Sequence, residues 1–193
     1  NLTADYPVNG KGGDNNTNIL KGGEGSDVLD GNGGVDTLYG ENGNDTLLGG
    51  TGADLLNGGF GDDVFDVQFG DGNDILDGAG DSDTIDYSSI SNGYHVDVTL
   101  NASTNASAIL TDGSTTNQTD TIVNIENVIG TGSNDTIVGD SLANTLWGEA
   151  GDDSFQGGAG KDEIHGGNTS QINGDTVSYE YLTTNKVHVD LRL

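Results

Sequence analysis

An apolar residue returns every ninth position along much of this chain, two places behind an acid or amide and after a glycine-rich stretch. From Gly13 the frame reads GDNNTNILK (13–21), GGEGSDVLD (22–30), GNGGVDTLY (31–39), GENGNDTLL (40–48), GGTGADLLN (49–57) and GGFGDDVFD (58–66). After Val67 and Gln68 it continues as FGDGNDILD (69–77) and GAGDSDTID (78–86). A second block runs GTGSNDTIV (130–138), GDSLANTLW (139–147), GEAGDDSFQ (148–156) and GGAGKDEIH (157–165), then resumes at Gly166 and, past an insertion, at Asp175-Thr176-Val177. Nine residues match neither the helical period nor a heptad, and glycine at this density breaks helices. The pattern predicts a six-residue turn followed by a three-residue strand whose middle side chain, position eight, points inward. Two units make an 18-residue coil, and successive coils stack as parallel strands about 4.8 Å apart.

Between the blocks the nine-residue frame lapses. His95 to Leu100 alternates and predicts a half-buried strand, Ile122 to Ile129 is a second apolar stretch, and the Asn/Ser/Thr-rich Asn101 to Thr119 reads as an exposed loop. The spacer pattern recurs: Asp83 to Tyr87 parallels Asp175 to Tyr179, and His95 to Val98 parallels His188 to Leu191. The expected organisation is a lead-in at 1–12, a first roll at 13–86, a spacer at 87–129, a second roll at 130–178 and the start of a further, truncated spacer at 179–193. Such spacing suggests a tandem array cut from a longer protein.

Stacking brings positions 18 residues apart into register. One edge would carry Asn18, Asp36, Asp54 and Asp74, and the other Asp27, Asp45, Asp63 and Asp83, as two ladders of carboxylates. At strand spacing these repel one another by kilocalories unless a cation lies between them. Composition fits that need: 32 acids face 5 Lys and Arg for a formal charge of −27, and the acids are 26 Asp against 6 Glu. Asp is the short carboxylate of tight turns and metal loops. Leu, Ile, Val and Phe number 44 of 193, close to the level at which highly charged chains stay unfolded. The negative field excludes direct nucleic-acid binding and contact with anionic lipid, and no apolar run is long enough for a membrane helix. With no Cys there is no disulfide or thiolate metal site. Glycines such as Gly23, Gly25, Gly50, Gly52, Gly59 and Gly61 are free to adopt positive φ and turn carbonyl oxygens inward. A cage of six to eight oxygens from two turns suits calcium; magnesium prefers fewer protein ligands.

These units resemble the repeats-in-toxin (RTX) proteins, whose nonapeptide is Gly-Gly-x-Gly-x-Asp-x-U-x with U apolar. Residues 22–30, 49–57, 58–66 and 157–165 match it at every defined position. The resemblance implies an all-β, right-handed parallel β-roll loaded with several calcium ions, roughly 8–10. It implies Asp27, Asp36, Asp45, Asp54, Asp63, Asp74, Asp135, Asp153 and Asp162 as side-chain ligands, with Asp83 and the neutral Asn18 in the same phase. Carbonyls of the glycine loops complete the shells, at Gly22, Gly23, Gly25, Gly34, Gly43, Gly50, Gly52, Gly59, Gly61, Gly72, Gly151, Gly158 and Gly160. Asn144 also stands where the motif has Asp, and Leu142 where it has Gly.

No nucleophile elbow, zinc helix, P-loop or dinucleotide fingerprint occurs. His95 and His188 fall in equivalent spacer strands, His165 takes the variable ninth position, and Trp147 is expected to pack at a roll edge. Paired acids such as Asp62-Asp63 and Asp152-Asp153 lack the unequal environments a glycosidase needs. Third positions show no outward Thr or Asn row, so an ice-binding face is not expected. The expectation is a non-catalytic calcium-binding module of a large, secreted or surface-attached bacterial protein. Its contacts would be calcium, the type I secretion machinery, and cell-surface or matrix partners reached through the parent protein. An adhesin is the favoured parent; a toxin, hydrolase or polysaccharide-modifying enzyme is the alternative.

Overall fold

The computed structural model describes residues 2–3, 11–90, 93–102, 106–111, 116–167, 174–178 and 188–190. Most of the expected lead-in at 1–12 and of the segment at 179–193 lies outside the described residues. The lead-in carries strands Leu2–Thr3 (β1) and Lys11–Gly12 (β2), and the first block forms Ile19–Glu24 (β3), Val28–Asp30 (β4), Thr37–Asn42 (β5) and Thr46–Leu48 (β6). Leu55–Phe60 (β7), Val64–Asp66 (β8), Ile75–Ala79 (β9) and Thr84–Asp86 (β10) complete it. The spacer adds His95–Thr99 (β11), Ala106–Thr111 (β12), Thr116–Val123 (β13) and Asn127–Ile129 (β14). Then follow Thr136–Val138 (β15), Thr145–Trp147 (β16), Ser154–Gln156 (β17), Glu163–His165 (β18), Thr176–Ser178 (β19) and His188–Asp190 (β20).

Strands alternate between two sheets. One runs β1-β3-β5-β7-β9-β13-β12-β11-β15-β17-β19 and the other β2-β4-β6-β8-β10-β14-β16-β18-β20. Within a repeat block every pairing is parallel and joins equal phases of the nonapeptide, as in Leu20↔Leu38, Leu29↔Leu47 and Ile137↔Phe155. The protein is an all-β parallel solenoid with coils of 18 residues. Its core is the predicted seam: position eight is buried at Leu20, Leu29, Leu38, Leu47, Leu56, Phe65, Leu76, Ile85, Ile137, Leu146, Phe155 and Ile164. The two sheets differ in one respect. From β4 onward strands of the second sheet have the expected three residues, but in the first sheet β3, β5 and β7 run for six, continuing through the first three positions of the next unit.

The spacer does not interrupt the solenoid. Strand β13 stacks on β9 through Ile122↔Leu76, and β14 on β10 through Val128↔Ile85, so Ile122 and Val128 extend the seam. Strands β11 and β12 are two additional strands in the first sheet, β12 running antiparallel to both neighbours. This corrects the exposed-loop reading of Asn101 to Thr119, which contains β12 and half of β13. The polar composition misled because small or polar residues, Ala108, Gln118 and Asp120, occupy inward positions there. The sequence counterparts Asp83–Asp86 and Asp175–Ser178 lie in opposite sheets, since an odd number of half-turns separates them.

Candidate metal centre

Along each edge the sixth-position carboxylates are wired to one another through the backbone. Asp27 N–H donates to Asp45 Oδ1 at 2.7 Å, Asp36 N–H to Asp54 Oδ1 at 2.7 Å, and Asp45 N–H to Asp63 Oδ1 at 2.8 Å. Asp54 N–H reaches Asp74 Oδ1 at 2.8 Å, Asp63 N–H reaches Asp83 Oδ1 at 2.9 Å, and Asp135 N–H reaches Asp153 Oδ1 at 2.9 Å. The ladders continue into the spacer on residues the nonapeptide frame does not contain. Asp74 N–H donates to Asp120 Oδ1 at 2.9 Å and Asp83 N–H to Glu126 Oε2 at 3.0 Å. A signal for both existed: Asp120-Thr121-Ile122 and Glu126-Asn127-Val128 keep the acid two residues before the inward apolar residue, without the glycines.

The second carboxylate oxygen has a different fate. Oδ2 of Asp36, Asp45, Asp54, Asp63, Asp83, Asp153 and Asp162 is buried with no hydrogen-bond partner. Each lies over the first glycine of its own unit, and at Asp36, Asp45 and Asp83 a carbonyl from elsewhere in the stack lies beside it. A methyl on Gly31 would strike Asp36 Oδ2 and the Gly49 carbonyl; on Gly40, Asp45 Oδ2 and the Gly58 carbonyl; on Gly78, Asp83 Oδ2 and the Asn124 carbonyl. A buried anionic oxygen without a donor costs several kcal/mol unless it gains a proton or a cation. Burial, reinforced by like-charged neighbours, therefore raises these acids. Asp63 rises to about 6, Asp153 to about 7 and Asp83 to about 8, and Asp74 reaches about 8.

Glycine at position four meets two demands in the units that carry it. Gly25, Gly34, Gly43, Gly52, Gly61, Gly72, Gly151 and Gly160 all have positive φ. The coils also touch there backbone to backbone: a Cβ on Gly43 would collide with the Gly25 carbonyl, and one on Gly61 with the Gly43 carbonyl. At position two, Gly23, Gly50, Gly59 and Gly158 share the positive φ, but Asn32, Glu41, Ala79 and Glu149 adopt it as well. At position four Asp81 does the same, with a φ of 75°.

At three places the protein supplies hydrogen-bond partners of its own. Asp135 accepts Val96 N–H and the Thr131 hydroxyl on Oδ1 and Thr131 N–H on Oδ2. Asn144 accepts Asp140 N–H and donates to the Glu126 carbonyl at 3.0 Å. Asn18 accepts Asp14 N–H at 2.7 Å. Among the described residues no group of three or more Asp, Glu or His side chains is spaced to hold a metal ion alone, so any cage in the turns must include backbone carbonyls. Away from the ladders, Trp147 is not at a roll edge. It stands on the outer face of the second sheet and stacks on His165 at 3.7 Å, while His165 Nε2 lies 3.0 Å from Glu163 Oε1. The side chain of His188 is outside what is described.

Fold and site together define a parallel β-solenoid with rows of buried, donor-starved carboxylates facing carbonyls in its turns. The family model of the RTX calcium-binding nonapeptide repeat (4 copies) matches residues 12–47, 39–71, 70–89 and 138–169, more than half of the chain. The chain belongs to this family, and its repeats are calcium-binding. Among solved structures it is similar to the solution structure of the AlgE6R3 subunit from the Azotobacter vinelandii Mannuronan C5-epimerase. That match has 27% identity over 56% of this chain and 72% of that one, with a TM-score of 0.43. No curated protein matches the chain.

Proposed function

We propose that the chain is a non-catalytic module that folds on binding calcium outside the cell, as a structural and export-folding part of a large secreted adhesin or surface protein. In this reading Asp27, Asp36, Asp45, Asp54, Asp63, Asp74, Asp83, Asp153 and Asp162 supply side-chain oxygens, and the loop carbonyls complete each shell. The row of buried Oδ2 atoms without donors carries the proposal, because a cation between coils satisfies them all in one step. Calcium would supply positive charge and keep the carboxylates ionised; the protein's part is to bring the carboxylates together and to present the loop carbonyls beside them. Coupling follows from charge: at −27 the metal-free chain resists compaction, and each occupied site relieves part of that repulsion. If free calcium stands at about 100 times the dissociation constant, each site contributes about 2.7 kcal/mol. RTX repeats are typical of extracellular proteins, whose surroundings hold millimolar calcium, which supports export before folding. Limited proteolysis tests this. The chain should be cut along both repeat blocks at submicromolar calcium and resist cleavage at millimolar calcium; equal resistance at both levels would count against it.

A further inference from the structure

The outer face of the first sheet differs between the two blocks. With position eight turned inward, position seven points outward. Across β3, β5, β7, β9 and β13 that outward row is Ile19, Thr37, Leu55, Ile75 and Thr121, each in register with the next. Val35, two residues before Thr37, adds a further apolar side chain at the same end of β5. Ile19, Val35, Leu55 and Ile75 are 38–56% exposed. In the second block the same sheet carries exposed Thr136, Ser154 and Thr176 at position seven. The roll therefore does not require an apolar residue there. Strand propensity does not explain the choice either, since Thr forms strands as well as Ile and Leu55 is not β-branched. A chain with only 44 Leu, Ile, Val and Phe leaves a row of them in water, where they forgo the gain of burial.

We propose that this row docks one short amphipathic helix whose apolar stripe is flanked by Lys or Arg. The spacing fits. Neighbouring strands set the row's side chains about 4.8 Å apart, and a helix aligned with the row returns its apolar face every turn of about 5.4 Å. The size fits as well: the five strands span about 19 Å, the length of three to four helical turns. Four half-exposed side chains fall short of the roughly 800 Å² that each partner of a stable dimer buries, and a formal charge of −27 on each copy opposes pairing of two copies. Charge points to a basic partner. Along β3, β5, β7 and β9 the charged residues are Lys21, Glu24, Glu41 and Asp77, and Lys21 is paired with Glu41 at 2.6 Å. None of these acids belongs to the ladders, so calcium in the turns leaves them available to cationic flanks.

Fluorescence anisotropy in millimolar calcium tests this with a labelled Leu/Lys peptide about four helical turns long, against a peptide of the same composition with its amphipathic pattern scrambled. The patterned peptide is expected to bind the unaltered chain about tenfold more tightly than the scrambled one, and this margin to vanish in the double variant Leu55→Thr, Ile75→Thr. Thr37 and Thr136 already occupy such places, so the roll is retained. Thr37→Ile, which fills the gap in the row, is expected to widen the margin. Equal binding of the two peptides, or a margin that survives the double variant, overturns the proposal. So does sedimentation showing that the unaltered chain dimerises and the double variant does not, which assigns the row to a second copy.

Discussion

Asp63 shows how one residue is held between two demands. Its Oδ1 accepts the Asp45 N–H, its Oδ2 has no donor, and burial lifts its carboxyl to about 6. An ionised Asp63 is therefore a liability without metal and an asset with it. Asp63→Asn should accordingly act with opposite sign in two conditions at pH 8. In calcium the variant should lose about 2.7 kcal/mol, the contribution of one site at 100 times its dissociation constant; in chelator it should match or exceed the parent in stability. Thermal unfolding in both buffers reads this, and equal destabilisation in both would assign Asp63 a purely packing role. Gly61 makes the contrasting case. A side chain there meets the Gly43 carbonyl and inherits a φ of 113°, so Gly61→Ala should cost about 1–3 kcal/mol or more whether or not calcium is present. The same pair of unfolding curves checks it.

At the scale of elements, the repeat strands and the spacer strands depend on different things. Each repeat strand buries a single apolar side chain against one seam, and at Asp36, Asp45, Asp54, Asp63, Asp83, Asp153 and Asp162 the turn ends in a carboxylate with one oxygen that lacks a donor. The β11–β12–β13 unit is longer and antiparallel, buries Val96, Val98, Leu100, Ala108, Leu110 and Ile122, and its neighbouring acids have protein donors. Asp120 is held by Asp74 N–H and Gln118, and Asp135 by Val96 N–H and Thr131. This element needs no cation to satisfy its polar groups. In chelator, hydrogen exchange should find protection concentrated in 95–99, 106–111 and 118–129, with 19–66 and 145–165 exchanging freely; uniform exchange over the chain would contradict the difference. The contrast also explains what was legible in the sequence. Period nine, acid at six and apolar at eight translate directly into strands, seam and ladders, since every coil repeats the same local rule. The hairpin was hidden because its inward positions carry Ala108, Gln118 and Asp120, which read as loop. The spacer's ladder members Asp120 and Glu126 were hidden because they keep the phase but not the glycines.

For the whole molecule, the −27 charge and the raised carboxyls set the dependence on pH. Asp74 and Asp83, at about 8, and Asp153, at about 7, hold protons in the metal-free fold that the unfolded chain releases near 3.8. Their contribution to metal-free stability is therefore present below about pH 4 and is lost as pH rises through about 7–8. Calcium reverses the sign, because it binds the ionised form and competes with those protons. The stability added by calcium should increase from pH 5 to pH 8, while the chelated chain becomes more expanded over the same interval. These opposing trends meet in the central claim, that cations between the coils take the place of a large apolar core. The most direct test is a calcium titration at pH 8 followed simultaneously by far-ultraviolet circular dichroism and small-angle X-ray scattering. The account predicts that β-structure and compactness rise together with calcium, from a chain in chelator that retains little more than the spacer hairpin. A full complement of β-structure and a compact particle in chelator, unchanged by millimolar calcium, would contradict it.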